Sequence, residues 1–242
     1  MPSIYAAAFW GALGASSVVL GAVLAMRMRL SDRVVGSVMG FGAGALIGAI
    51  AYELVPASLI GGADRGLSVA FAAGAATFFA CDWVVGSRNR KKLTGERTEG
   101  SGAAIFLGAM LDGVPESLAL GLSLALGGSI SVALLAAVFV SNFPEGIAGT
   151  EGLLAAGYTK RRVLWMWVGL MIASAAAAAL GFAVVQAVPK ADGEIVQAFA
   201  AGAILTMLAN AMMPEAFQRG GKLVGLLTAL GFLMGAILSV LE

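Results

Sequence analysis

Apolar residues run along this chain in eight long blocks, each broken by a short group of charged residues or by glycine-rich connections. The blocks are Ser3–Met26, Val34–Ile60, Leu67–Gly86, Gly102–Leu126, Ser131–Gly157, Val163–Val188, Ile195–Phe217 and Leu223–Leu241. A helix rises 1.5 Å per residue, so about 20 residues cross the roughly 30 Å of hydrocarbon in a bilayer. Every block meets that length. The pattern predicts an all-α polytopic membrane protein with eight transmembrane helices, forming one transmembrane domain over residues 1–242.

Composition agrees with the pattern. Of 242 residues, 60% are hydrophobic and 12% charged, and the mean hydropathy of +0.93 lies far outside the soluble range. The first block has no basic segment before it and no small-residue cleavage site after it, so it is expected to be a retained span. Cys81 is the single cysteine, which excludes an intrachain disulfide. A net charge of +1 gives no electrostatic footprint for nucleic acid.

Charge sets the expected orientation. Arg27, Arg29 and Arg33, then Arg88, Arg90, Lys91, Lys92 and Arg97, then Lys160, Arg161 and Arg162, then Arg219 and Lys222 all fall in alternate loops, while the other side holds Arg65 and Lys190. Basic loops stay cytoplasmic. Both termini are therefore expected outside, and the polar segment 87–101 reads as a mobile cytoplasmic loop between spans three and four. The expected location is the plasma membrane, a bacterial inner membrane.

Two internal similarities point to function. "FGAGALIGAIAYELVPAS" from Phe41 aligns without gaps on "FAAGAILTMLANAMMPEA" from Phe199, matching Gly44 to Gly202 and Pro56 to Pro214. "DGVPESLALG" (Asp112 to Gly121) aligns on "SNFPEGIAGT" (Ser141 to Thr150) through Pro115/Pro144 and Glu116/Glu145. In an eight-span topology the members of each pair run in opposite directions. Inverted repeats are a signature of transporters that alternate access to the two sides. The expected organisation is three spans, a two-span hairpin and three spans.

The acids are the candidate chemistry. Glu53, Asp82, Asp112, Glu116, Glu145, Glu151 and Glu215 fall within the blocks, whereas no Lys, Arg or His does. A charged side chain at mid-bilayer costs at least about 2.5 kcal/mol, so such acids are either protonated or neutralised by a cation. Asp112 and Glu116 share one helix face, four residues apart, and Ser141 and Glu145 repeat that spacing with Asn142 beside them. The four-residue connection makes spans four and five an antiparallel hairpin, bringing Glu116 and Glu145 to similar depth. Pro115 and Pro144 leave the carbonyls of Leu111 and Val140 without their helical partners, predicting a kink beside each glutamate. Glu53 and Glu215 stand where inverted symmetry would put an entrance and an exit. Asp82 and Glu151, near the inner ends, read as solvated. The four tryptophans, Trp10, Trp83, Trp165 and Trp167, read as interfacial anchors.

At "DGVPESLALG", "SNFPEGIAG" and "MMPEAF" the chain resembles the ZIP family of divalent-metal transporters, in a bacterial-type, histidine-free form. The resemblance implies eight spans with external termini, no enzymatic activity, and metal ligation by Asp112, Glu116, Asn142 and Glu145, with Ser141 a weak ligand. Glu53 and Glu215 would line the pathway. The transported substrate would be a divalent ion of the zinc, manganese or iron class. Here no histidine is present, Asp112 stands where the family commonly has His, Gly113 offers no ligating side chain, and span six offers no carboxylate for a second metal. An all-oxygen set suits Mn²⁺, Mg²⁺ or Fe²⁺ at least as well as Zn²⁺. A homodimer is implied by the resemblance alone, and Gly40, Gly44 and Gly48 suit either a dimer face or packing within one subunit. Two other readings stay open: a proton- or sodium-coupled exchanger and an intramembrane carboxylate enzyme.

Overall fold

The structure is a computed structural model that describes residues 2–55, 65–92, 99–187 and 193–242, and of residues 86–92 and 99–101 the backbone alone. Among the described residues every regular element is a helix. Eight are long and apolar enough to cross a membrane. They are α1 (Ile4–Arg27), α2 (Asp32–Leu54), α3 (Arg65–Lys92), α4 (Glu99–Gly127), α5 (Val132–Ala155), α6 (Lys160–Ala187), α7 (Gly193–Gly220) and α8 (Leu223–Leu241). The expected blocks and these helices agree to within a few residues wherever residues are described, with two instructive exceptions. The polar stretch 87–101 is not all loop, because α3 continues to Lys92 and α4 begins at Glu99; residues 93–98 lie outside the described residues. The predicted end of the second span and Pro56 also lie outside them. And α7 runs one turn past Phe217, where Gly221 stops it with a φ of 68° that other residues rarely adopt.

Serine starts several helices. Ser3, Ser31 and Ser131 each accept a hydrogen bond from the backbone N–H three residues on, satisfying a donor that the first turn leaves free. The helices of Pro115 and Pro144 run through both prolines without a break.

The helices pack as two groups. In one, α1 packs on α5 and α6, and α4 packs on α6; in the other, α2 packs on α8 and on the end of α7, and α3 packs on α7; the groups meet chiefly where α2 lies on α5, and more loosely where α4 lies on α7 and α3. This pattern survives exchange of one half of the chain for the other. α2 packs on α8 as α7 packs on α3, and α5 packs on α1 as α4 packs on α6. Glycine contacts repeat the correspondence atom by atom. Gly44 abuts the Thr228 carbonyl on α8 while Gly231 abuts Phe41; Gly202 abuts the Phe71 carbonyl on α3 while Gly74 abuts Phe199. Gly44 and Gly202, and Phe41 and Phe199, are aligned residues of the sequence repeat.

The same correspondence appears in the backbone. α2 ends in a π-helical turn, Ile50–Leu54, and α7 carries one at Leu208–Met212, the aligned positions. In α7 the cause is local: Pro214 has no N–H for the carbonyl of Asn210, and the turn widens just before it. In lipid, helices gain little from the hydrophobic effect when they associate, so close backbone approach at small residues carries the packing. Gly40, Gly44 and Gly48 form such a stripe, and it is spent inside the chain: all three lie against α8, where Thr228 Oγ1 also donates to the Gly40 carbonyl at 3.0 Å.

Trp167 departs from its expected interfacial place. It is fully buried, its Nε1 donates to Thr150 Oγ1 at 2.8 Å, and Phe106 meets it edge to face. A tryptophan can be buried when its N–H finds a partner, and Thr150 supplies one. Trp83 and Trp165 are exposed.

Candidate functional site

The α4–α5 hairpin turns through Gly128 with φ 75° and holds the central polar cluster. Glu116 on α4 is 1% exposed and faces α5. Its Oε2 accepts from Asn142 Nδ2 at 2.8 Å and its Oε1 from Ser141 Oγ at 3.3 Å. Asn142 Nδ2 also donates to the Val138 carbonyl at 2.9 Å. Both partners of that nitrogen are pure acceptors, which fixes the orientation of the amide.

These bonds set the depth of every other residue in the hairpin. Glu116 stands level with Ser141 and Asn142, so Glu145 lies one helical turn nearer the end bearing the basic loops. Asp112 is one turn from Glu116 in the same direction. The five polar side chains therefore form two tiers: Glu116, Ser141 and Asn142 above, Asp112 and Glu145 below. This corrects the expectation that Glu116 and Glu145 share one depth. The reason is visible in the helix contacts: Gly121 abuts Ala178 as Gly146 abuts Val18, which makes Glu116 the structural counterpart of Ser141 and displaces the two proline–glutamate pairs by a turn.

The lower tier opens into a cavity of about 340 Å³, where Asp112, Glu145, Glu215 and Arg219 stand among apolar walls that include Ile105, Gly108, Ala109 and Gly149. Glu145 is within electrostatic reach of Glu116, Asp112 and Glu215, and Asp112 of Asp82. A second polar crevice of about 670 Å³ lies beyond, lined by Asp32, Pro214, Glu215, Gln218 and Arg219. Acids thus continue from the buried Glu116 to the basic-loop end. Among the described residues, no group of three or more His, Cys, Asp or Glu side chains is placed to hold one metal ion.

Two expectations change at this end. Glu215 does not lack a positive partner: Arg219 Nε lies 2.9 Å from its Oε1, because the extra turn of α7 sets the two side chains four residues apart on one face. Glu151, read as solvated, pairs with the same arginine at 3.4 Å. At the opposite end, Glu53 sits in the π-helical turn of α2, where its carbonyl accepts from Gln197 Nε2 of α7.

One buried polar group was not foreseen. Ser174 of α6 is fully buried and its Oγ has no hydrogen-bond partner among the described residues; it faces Gly113 of α4, the residue after Asp112. Nothing in the sequence separates it from other serines of apolar helices. Arg219 was visible as a basic residue four positions after Glu215, but only the length of α7 brings it into the site.

The amide orientation makes a prediction. Asn142→Asp removes two donors and sets a second carboxylate against Glu116, and a hydrogen bond to a charged partner contributes about 1.5–3 kcal/mol. The purified variant is expected to unfold at a clearly lower temperature in detergent, and Asn142→Gln at an intermediate one. An unchanged midpoint for the aspartate variant would contradict the assigned hydrogen bonds.

Compared with known protein families and with curated protein sequences, the chain finds no match.

Proposed function

We propose that this protein is a ZIP-like transporter that moves a divalent metal ion of the zinc, manganese or iron class toward the cytoplasm. The observation that carries the reading is the two-tier arrangement of Glu116, Ser141 and Asn142 over Asp112 and Glu145, opening into an acid-lined cavity. Ionisable residues placed inside a bundle, and not on its lipid face, mark ion pathways. A transported ion needs several moderate sites more than one tight cage, because it must leave each of them. Oxygen donors spread over two depths suit that need.

Glu116 and Glu145 would be the central ligands, with Asp112, Asn142, Ser141 and water completing successive shells. Glu53 would lie toward the outer entrance and Glu215 toward the exit. The exchange pattern of helix contacts and the matched π-helical turns support an inverted-repeat transporter with a three, two and three division of its spans. Orientation rests on the basic loops, which support a topology with both termini outside, and a bacterial inner membrane rests on the family resemblance. The glycine stripe of α2 is consumed by α8 and lends no support to a homodimer, which rests on the family resemblance.

The test is uptake into proteoliposomes, with Mn²⁺, Zn²⁺, Fe²⁺ and Mg²⁺ competed against one another. Saturable uptake of at least one divalent ion is expected, with Mn²⁺ or Fe²⁺ competing at least as well as Zn²⁺. A current dependent on Na⁺ alone, with no divalent uptake, would replace this reading with an exchanger.

A further inference from the structure

Arg219 gathers three carboxylates from three helices. Its Nη1 lies 2.8 Å from Asp32 Oδ1 of α2 and 3.4 Å from Glu151 Oε2 of α5, and its Nε lies 2.9 Å from Glu215 Oε1 of its own helix. The position matters as much as the pairing. Arg219 and Glu215 line both the cavity that contains Asp112 and Glu145 and the crevice at the basic-loop end. The pair is therefore a wall shared by the two spaces.

The partners belong to different helix groups. The last helical segment of α7 packs closely on α2, where Gly36 abuts the Gly220 backbone, and only slightly on α5. Asp32 and Glu215 thus tie Arg219 to its own group. Glu151 is the arm that reaches across to the other.

We infer that Arg219 is a latch: a tethered cation that fastens α7 to α5 through Glu151 and closes the passage between the inner cavity and the crevice at the basic-loop end. Opening the passage means separating Arg219 from Glu151, and a dication moving from Asp112 and Glu145 toward these acids can take the place of the guanidinium. The latch rests on the transport reading for its purpose, but its mechanics can be read without any metal.

Gly108 provides the reporter. It lines the cavity, and a Cβ built there meets nothing within 4 Å, so Gly108→Cys fits without strain from neighbours. In a Cys81→Ser background, the purified protein in detergent is treated with a cationic and with an anionic thiol reagent of similar size, in metal-free buffer. An ion pair of this exposure contributes modestly, so Arg219→Gln is expected to raise the labelling rate of Gly108→Cys by about two- to fivefold with both reagents. Glu151→Gln should give the same gain, and the two changes together no more than either alone, since Arg219–Glu151 is the link that both variants remove between the two groups. Arg219→Lys should retain part of the protection.

Unchanged rates in Arg219→Gln and Glu151→Gln would overturn the latch. So would acceleration of the cationic reagent alone, which would report a changed local potential in place of an opened passage, or gains that multiply in the double variant. Proteoliposome uptake is scored separately. Absence of divalent uptake with the expected labelling pattern would remove the transport reading and leave the latch in place.

Discussion

Divalent-ion uptake is expected to disappear when Glu116 and Glu145 are both replaced by alanine, while the protein stays folded. Loss of an outer-shell partner alone typically costs about 10–100-fold in metal affinity or activity, and these two residues are assigned direct contact with the ion, so the loss should exceed about 100-fold. The fold should tolerate the change for a reason specific to this hairpin. With Glu116 gone, Asn142 Nδ2 still donates to the Val138 carbonyl at 2.9 Å, and Ser141 Oγ still donates to the same carbonyl at 3.0 Å. Ser141 keeps its partner and Asn142 keeps one of its two N–H bonds, so the change costs one hydrogen bond and not the whole cluster. Among the described residues neither glutamate is in an ion pair, so their removal strands no buried cation. Gel filtration and thermal unfolding in detergent would establish that the double variant is intact. Surviving uptake of any divalent ion at near wild-type rate would show that the two glutamates are not its ligands.

The second large effect concerns stability. Gly44→Ala and Gly202→Ala each push a methyl group into a backbone carbonyl of the facing helix, Thr228 in one case and Phe71 in the other. Backbone cannot swing aside as a side chain can, so the helices must separate. Overpacking of this kind costs about 1–3 kcal/mol. The two variants should lose similar amounts, because they occupy corresponding places in the two halves. Gly108→Ala is the control: the same substitution with open space around it should leave stability unchanged or raise it by about 0.5–1 kcal/mol, the usual gain over glycine within a helix. Denaturant unfolding in micelles of one detergent would rank all three. Equal stabilities for Gly44→Ala and Gly108→Ala would contradict the close approach of α2 and α8.

The spans were legible because hydrocarbon thickness demands about 20 apolar residues and charge interrupts them, a signal that survives the high glycine content. The repeat was legible where it is densest in small residues, from Phe41 and from Phe199, since those residues make the backbone contacts. It was misaligned by a turn at the proline–glutamate motifs. There, chemical likeness of two P-E pairs outweighed the packing glycines, Gly121 and Gly146, which fix the structural register. Side-chain depth follows register, so the expected single tier became two. Arg219 was assigned to a loop because hydropathy falls at Phe217, yet the helix persists to Gly220, where glycine geometry and not polarity ends it. Trp167 and Ser174 illustrate a further limit. Whether a polar atom in an apolar helix has a partner depends on a residue elsewhere in the chain, Thr150 for the first and none among the described residues for the second.

Cys81 has a practical consequence. The lone thiol is exposed on α3 and borders an apolar cleft of about 280 Å³ whose other walls include Leu111 and Pro115 of α4 and Phe199 and Ala203 of α7. That cleft lies on the looser of the two seams between the helix groups. A nitroxide or fluorophore attached to the unaltered protein would therefore sit on the boundary, and its spectrum would register sliding of one group past the other without any engineered residue.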